Sequence, residues 1–311
     1  MKKFLAIFLV ACILIMSGCG TADVKKENEK IIAVSFYPIY IFTINLTDGL
    51  DGVRVECMAE QSAGCLHDYS LTSKDARLLS DAEVFIINGA GMEGFVDGLD
   101  ETVENLKIID SSTGIEFLCE GGGHSVDVED NHSHSHSHNH AHSENSHIWM
   151  SVENAKKQVQ NIKNGLILNF PQYEKEIEEN YTLYIQRLGL LNDEIKSAGE
   201  KVNGKKIVTF HNAYEYLAED LGLLIVETIE SDHGGEPSSK ELAHLTHKIR
   251  DEKVEALFVE PDYEGSGATI LSNETGVEIF TLNPIINGEK EKTAYEDIMR
   301  DNLKIILKAV S

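Results

Sequence analysis

Histidines are the residues of this chain best suited to chemistry, and the 13 of them fall into two groups. Seven lie in one polar stretch, where imidazoles mostly alternate with small side chains: His124, His132, His134, His136, His138, His140 and His142. Such a composition does not build a packed core, so we expect a mobile loop over residues 120–146. Arrays of imidazoles bind zinc through changing subsets of ligands. The stretch therefore predicts an auxiliary metal-collecting or metal-sensing loop rather than a neutral spacer.

The other six histidines are scattered along the chain, and three of them stand beside predicted strands and helices. His67 and His211 each follow a predicted strand, and His147 precedes a helical stretch that opens at Ser151. Because ligands of open α/β sheets bind beyond the carboxyl ends of the strands, His67 and His211 are well placed to share a ligand. Three neutral imidazoles supply most of a tetrahedral zinc site, whereas manganese favours more carboxylate oxygens. The three predict a Zn²⁺ site, with Mn²⁺ as the less favoured ion, although each histidine taken alone is more often an ordinary polar residue.

The elements that must position these histidines form two similar halves. Short apolar, β-branched runs in the first half predict buried strands at Ile31–Val34, Val53–Met58, Val84–Asn88 and Leu106–Ile109. After Gly204 the pattern restarts, and it predicts strands at Ile207–Phe210, Leu223–Thr228, Ala256–Val259 and Glu278–Leu282. Helical or polar stretches separate these runs at Ser73–Ser80, Phe95–Asn105, Asn212–Leu221, Ser238–Glu252 and Gly265–Thr275. Alternating strands and helices indicate an α/β fold of two lobes, each a four-stranded parallel sheet with flanking helices.

One long helix is predicted to join the two lobes. Tyr173–Gly199 contains no proline and carries an apolar stripe spaced alternately by four and three residues: Ile177, Tyr181, Tyr184, Leu188, Leu191 and Ile195. At 1.5 Å per residue this helix would be roughly 40 Å long. A stiff connector predicts limited closure on ligand binding. The domains are then an N-terminal lobe at 31–170, the connecting helix at 171–203 and a C-terminal lobe at 204–311.

The first residues predict export from the cytoplasm. Phe4–Met16 is apolar but shorter than the roughly 20 residues that span a bilayer, so it is typical of a secretory signal. Met16-Ser17-Gly18-Cys19 resembles a bacterial lipobox, which predicts a signal peptide at 1–18, lipidation of Cys19 and a tether at 19–30. The alternative is an ordinary signal peptide cut nearby. We therefore expect an extracytoplasmic protein that is lipid-anchored to the cell membrane.

Charge and cysteine content limit the partners and the bonding. The formal net charge of -25 repels phosphate backbones, so we expect no nucleic-acid partner. Beyond the signal region there are three further cysteines, Cys57, Cys65 and Cys119. An odd number is not a disulfide framework, and the spacing leaves a pairing of Cys57 with Cys65 open.

Four separated motifs resemble those of the solute-binding proteins of zinc and manganese ABC transporters, the TroA-like cluster of metal-binding proteins. They are Gly64–Tyr69, which is similar to the family's G-x-x-x-H-x-Y element with one residue fewer before the histidine, the N-G-x-G-x-E turn at Asn88–Glu93, the H-x-W element at His147–Trp149 and the F-H-x-A-[FY] element at Phe210–Tyr214. Glu236-Pro237-Ser238 and Phe258-Val259-Glu260-Pro261 continue the resemblance in the second half. The acidic, His-rich loop before His147 is similar to that of the zinc-uptake (ZnuA-type) branch.

The resemblance implies a metal site between two lobes, with His67, His147 and His211 as ligands. The family often has Asp in a strand-ending D-P element, but this chain has Asn283-Pro284 there. Asn283 is therefore a weaker candidate for the fourth ligand, and a water, Glu260 or a loop histidine are the alternatives.

The resemblance also implies a binding protein rather than an enzyme. We expect a monomer that captures Zn²⁺ and delivers it to an ABC permease and its ATPase. The alternatives are a manganese-binding transporter component and a surface adhesin on the same fold. A zinc hydrolase is less favoured, because the sequence contains no H-E-x-x-H motif.

Overall fold

The N-terminal lobe is built on a four-stranded parallel sheet. The structure, a computed structural model, describes residues 29–59, 66, 69–96, 106–118, 144–229 and 237–310. The strands of this lobe are β1 (Lys30–Val34), β2 (Val53–Cys57), β3 (Val84–Ile87) and β4 (Lys107–Asp110), in the order β2-β1-β3-β4. The helices that accompany them are α1 (Tyr37–Leu46), α2 (Ser73–Asp81) and α3 (Val152–Asn169).

The C-terminal lobe repeats this plan. Its strands are β5 (Lys206–Thr209), β6 (Leu224–Thr228), β7 (Ala256–Val259) and β8 (Ile279–Thr281), all parallel, in the order β6-β5-β7-β8. Its helices are α5 (Glu215–Leu221), α6 (Ser239–Glu252), α7 (Gly267–Thr275) and α8 (Ala294–Ala309). The predicted α/β fold of two similar four-stranded lobes is confirmed. The helix predicted at Phe95–Asn105 falls largely outside the described residues.

The connecting helix α4 spans Glu174–Val202, close to its predicted limits. Five members of its apolar stripe are buried and the sixth, Tyr181, is partly buried. These side chains lie against helices of both lobes, namely α1, α3, α5 and α8. Near its end α4 approaches α5 so closely that a Cβ on Gly199 would lie 3.3 Å from the Leu221 carbonyl oxygen. The connecting helix is therefore packed into the core of both lobes and is not an isolated linker.

One hydrophobic core of the described residues is continuous through both lobes and runs from Ile32 of β1 to Phe258 of β7. Hydrogen bonds cross the interface within it: Trp149 Nε1 donates to the Pro284 carbonyl at 2.8 Å, and Tyr295 Oη donates to the Trp149 carbonyl at 2.7 Å. Moving one lobe against the other would break these buried bonds. This packing is the physical basis for the limited closure that we expect.

Among the helices of the described ranges, none combines the length and the apolar composition needed to cross a bilayer.

Candidate metal centre

Two of the three predicted histidine ligands meet at the boundary between the lobes. The rings of His147 and His211 have centroids 4.8 Å apart and lie nearly perpendicular, at 88°. His147 precedes a short 3₁₀ turn that leads into α3, and His211 follows β5. Each lobe therefore contributes one imidazole to the same point. The third predicted ligand, His67, lies outside the described residues, as do Cys19, Cys65 and the seven loop histidines.

The proton on His147 is fixed by its neighbour Asn145. The Asn145 Oδ1 atom accepts from the backbone N–H of His147 and lies 2.9 Å from its Nδ1. The amide cannot be turned round, because its Nδ2 donates to the Asn212 carbonyl at 2.9 Å. An amide oxygen only accepts, so Nδ1 of His147 carries the hydrogen. In the neutral ring the lone pair is then on Nε2, the nitrogen left to bind a metal.

His211 is oriented in a similar way by a carboxylate. Its Nδ1 lies 2.5 Å from Oε1 of Glu260, and neutral His211 must donate this hydrogen bond. The pairing follows from the sheet, since β5 and β7 are neighbours with Thr209 opposite Phe258. Two residues beyond that register pair, His211 and Glu260 leave the sheet on the same edge. A carboxylate that accepts a hydrogen bond from one ring nitrogen of a histidine fixes the orientation of the ring and raises the basicity of the other nitrogen.

Asn283 occupies the corresponding edge of the next strand, since it follows β8, which pairs with β7. Its Oδ1 accepts from the backbone N–H of Ile285 at 2.8 Å, and its own backbone pairs with the side chain of Asn302. Asn283 and Glu260 both line a cavity of about 200 Å³. One lone pair of the amide oxygen is thus used locally. Direct metal binding by Asn283 stays a prediction.

The N-G-x-G-x-E segment forms a tight turn that supports the chain beside His147. Glu93 accepts from the backbone N–H groups of Asn88 and Gly89, at 2.7 and 3.0 Å. Gly89 has φ +79°, and a Cβ there would lie 2.0 Å from Asp110 Oδ1, so only glycine fits. The Asn88 side chain, held in this way, donates to the Ser146 carbonyl at 3.0 Å. The turn therefore anchors the residue immediately before His147.

The charge on Glu93 should make the stability of this turn depend on pH. Burial raises the pKa of Glu93 to about 7, although its backbone hydrogen bonds oppose the shift. Because the pKa is higher in the folded state, protonated Glu93 contributes to the free energy of unfolding. This contribution is fully present below the unfolded-state pKa of 4.5 and is lost as pH rises from there through about 7. We expect the wild-type protein to lose about 2 kcal/mol more unfolding free energy between pH 5 and 8 than Glu93→Gln. Urea unfolding at both pH values measures this, and equal losses in the two proteins would contradict it.

Sequence reasoning missed the residues that orient the two predicted ligands His147 and His211. Asn145 stands two positions before His147, and Glu215 opens α5, but neither carries a metal-ligand pattern of its own. The sequence suggests Glu260 only as a possible ligand, whereas in the structure its carboxylate contacts Nδ1 of His211. His244 and His247 are exposed polar residues on α6. Within the described ranges no cluster of three His, Cys, Asp or Glu side chains could hold a metal, and His67 falls in a gap.

Known proteins with the same architecture bind zinc. The model of the family "Zinc-uptake complex component A periplasmic" (ZnuA) matches residues 32–309. The zinc-binding lipoprotein AdcA of Streptococcus pneumoniae serotype 4 is 30% identical over 98% of this chain, which spans 60% of that relative's length. The high-affinity zinc uptake system protein ZnuA of Bacillus subtilis is 30% identical over 97% of this chain and 96% of its own. The crystal structure of the Zn(II)-bound ZnuA-like domain of Streptococcus pneumoniae AdcA has a TM-score of 0.72 and 26% identity, covering 91% of this chain and 99% of that domain.

Proposed function

Because this chain belongs to the family of zinc-uptake complex component A, we propose that it is the extracytoplasmic zinc-binding component of an ABC-type metal uptake transporter. It captures Zn²⁺ between its lobes and delivers the ion to a permease powered by an ATPase. The observation that carries this proposal is the pair His147 and His211. Each ring has its Nδ1 engaged by a positioned oxygen, so two Nε2 atoms from different lobes serve one ion.

The proposed ligand set is His67, His147 and His211, with Asn283 or a water in the fourth position. Three imidazoles favour zinc over manganese, which takes more oxygen ligands. Glu260 acts through His211 in this scheme and not as a ligand of its own. Preoriented nitrogens on one buried and one partly buried ring favour retention of the ion over turnover of a substrate, which agrees with a binding protein and not with a zinc hydrolase.

The remaining parts of the chain fit this role. Lipidation at Cys19 would hold the protein at the membrane beside its permease, with residues 19–30 as a tether. The seven histidines of residues 124–142 would collect zinc or sense its excess. We expect a monomer, since each chain supplies its own complete site from two lobes.

The test is competitive zinc titration of the mature protein lacking residues 124–142. We expect one tight zinc per chain, much weaker binding of manganese, and an affinity that falls as the pH drops through about 6.5, where free imidazoles gain a proton. The intact chain should bind additional zinc more weakly, through the loop. No tight site after the deletion, or a strong preference for manganese, would contradict the proposal.

A further inference from the structure

Asn145 is the centre of a buried hydrogen-bond network that joins the two lobes. Its backbone N–H donates to the Leu118 carbonyl at 2.8 Å, and its carbonyl accepts from Tyr216 Oη at 2.7 Å. Its side chain reaches His147 on one side and Asn212 on the other. All the polar atoms of Asn145 are therefore engaged, and the residue has no exposed surface.

The network reaches a carboxylate of the opposite lobe. Asn145 Nδ2 donates to Oε2 of Glu215 at 2.8 Å, and Glu215 is only 5% exposed. Burying a carboxyl group costs free energy unless the group is hydrogen-bonded, so this hydrogen bond is a feature of the buried interior and not a chance contact at the surface. It creates a continuous path from the Glu215 carboxylate through the Asn145 amide to Nδ1 of His147.

We propose that Asn145 and Glu215 form an inter-lobe positioning pair that sets how tightly His147 holds the metal. The inference rests on the proposed zinc-binding function and adds to it two residues that do not touch the ion. The carboxylate polarises the amide, which makes Asn145 Oδ1 a stronger acceptor for the Nδ1 hydrogen of His147. The opposite ring nitrogen, Nε2, becomes the stronger donor to zinc.

The pair also links metal retention to the arrangement of the lobes. Asn145 and His147 belong to the N-terminal lobe, while Glu215 lies on α5 of the C-terminal lobe. A displacement that separates α5 from Asn145 removes the acceptor at the end of the path and loosens the support of His147. Docking on a permease is one event that could produce such a displacement, so the pair is suited to coupling docking to release.

The test reverses the donor and acceptor roles in the hydrogen bond from Asn145 to Glu215. Asn145→Asp places a carboxylate oxygen against Glu215 and the Asn212 carbonyl, and we expect about 10- to 100-fold weaker zinc binding. In the double variant N145D/E215Q a Gln amide can donate to the new carboxylate, while the Asn212 carbonyl still opposes it. The double variant should therefore bind zinc several-fold more tightly than N145D.

A matched control and a milder variant separate positioning from folding. Asn161→Asp removes an amide that donates to the Ser111 and Thr113 carbonyls, away from the metal, and should leave zinc affinity unchanged. Glu215→Gln keeps the acceptor oxygen but removes the charge, so zinc should dissociate measurably faster, by less than about 10-fold. The melting temperature of its apo form should change no more than that of N161D.

Three readouts decide the outcome: zinc affinity, zinc dissociation into a chelator, and the absorption spectrum of the Co²⁺-loaded protein, which reports ligand geometry. We expect the spectrum to change in N145D and to be wild-type in N161D. Wild-type zinc affinity in N145D, a double variant no tighter than N145D, or an unchanged dissociation rate in E215Q would overturn the inference. Absence of tight zinc binding in the wild-type protein would instead refute the proposed function itself.

Discussion

An alanine in place of His211 is expected to weaken zinc binding by more than about 100-fold. Loss of a residue that only hydrogen-bonds a metal ligand already lowers metal affinity by about 10- to 100-fold. The change removes an imidazole at the lobe boundary and also leaves Oε1 of Glu260 without its ring partner. His147 and its support by Asn145 would remain. Competition with a chromophoric chelator measures the loss directly.

Two exposed histidines supply the matched control. His244 and His247 lie on the outer surface of α6, and His244→Ala/His247→Ala should bind zinc as the wild-type protein does. Both proteins should be compared after deletion of residues 124–142, so that the loop does not mask the result. Tight zinc binding by His211→Ala would mean that the high-affinity site does not include the pair of imidazoles between the lobes.

Replacing Trp149 with alanine is expected to lower the free energy of unfolding by about 4 kcal/mol. Trp149 is fully buried, packs edge-on against Phe36 at a centroid distance of 4.9 Å, and donates its indole N–H to the Pro284 carbonyl. The truncation therefore opens a cavity between the lobes and leaves a buried carbonyl without its donor. Urea unfolding followed by circular dichroism gives the loss.

Two further variants divide this effect into its parts. Trp149→Phe keeps much of the packing but loses the hydrogen bond to Pro284, so we expect a smaller loss of about 1–3 kcal/mol. Leu183→Ala removes a side chain that is 64% exposed on α4 and should change stability by no more than about 0.5 kcal/mol. A loss in Trp149→Ala no greater than in Leu183→Ala would show that Trp149 does not hold the lobes together.

Zinc binding and lobe packing are connected through the same short segment. Residues 145–149 carry the Asn145 amide, the proposed ligand His147 and the Trp149 side chain in succession. The His147 and Trp149 rings are 5.2 Å apart, so the interface side chain lies directly beside the proposed metal ligand. A weakened interface in Trp149→Ala should for this reason also increase the rate of zinc loss.

Local sequence patterns are enough to predict the two-lobe α/β fold, the long connecting helix and the candidate histidines. These follow from local patterns: β-branched runs of strand length, a stripe spaced by four and three residues, and histidines placed next to strand ends. Helix α1 is not predicted from the sequence, because eight of its ten residues are buried and it therefore shows no polar face. A pattern can reveal a half-buried helix, but not one that is surrounded by core.

Which atoms meet at the site follows from the packing of elements that are distant in the chain. His147 and His211 are far apart in the chain, and nothing local indicates that their rings come within 4.8 Å. The partners that fix their protons, Asn145 and Glu260, are ordinary polar residues until folding brings each to a ring nitrogen. The physical reason is that sequence periodicity reports which side of an element is buried. The direction of a hydrogen bond instead depends on distances of a few tenths of an ångström between elements that only the packed core sets.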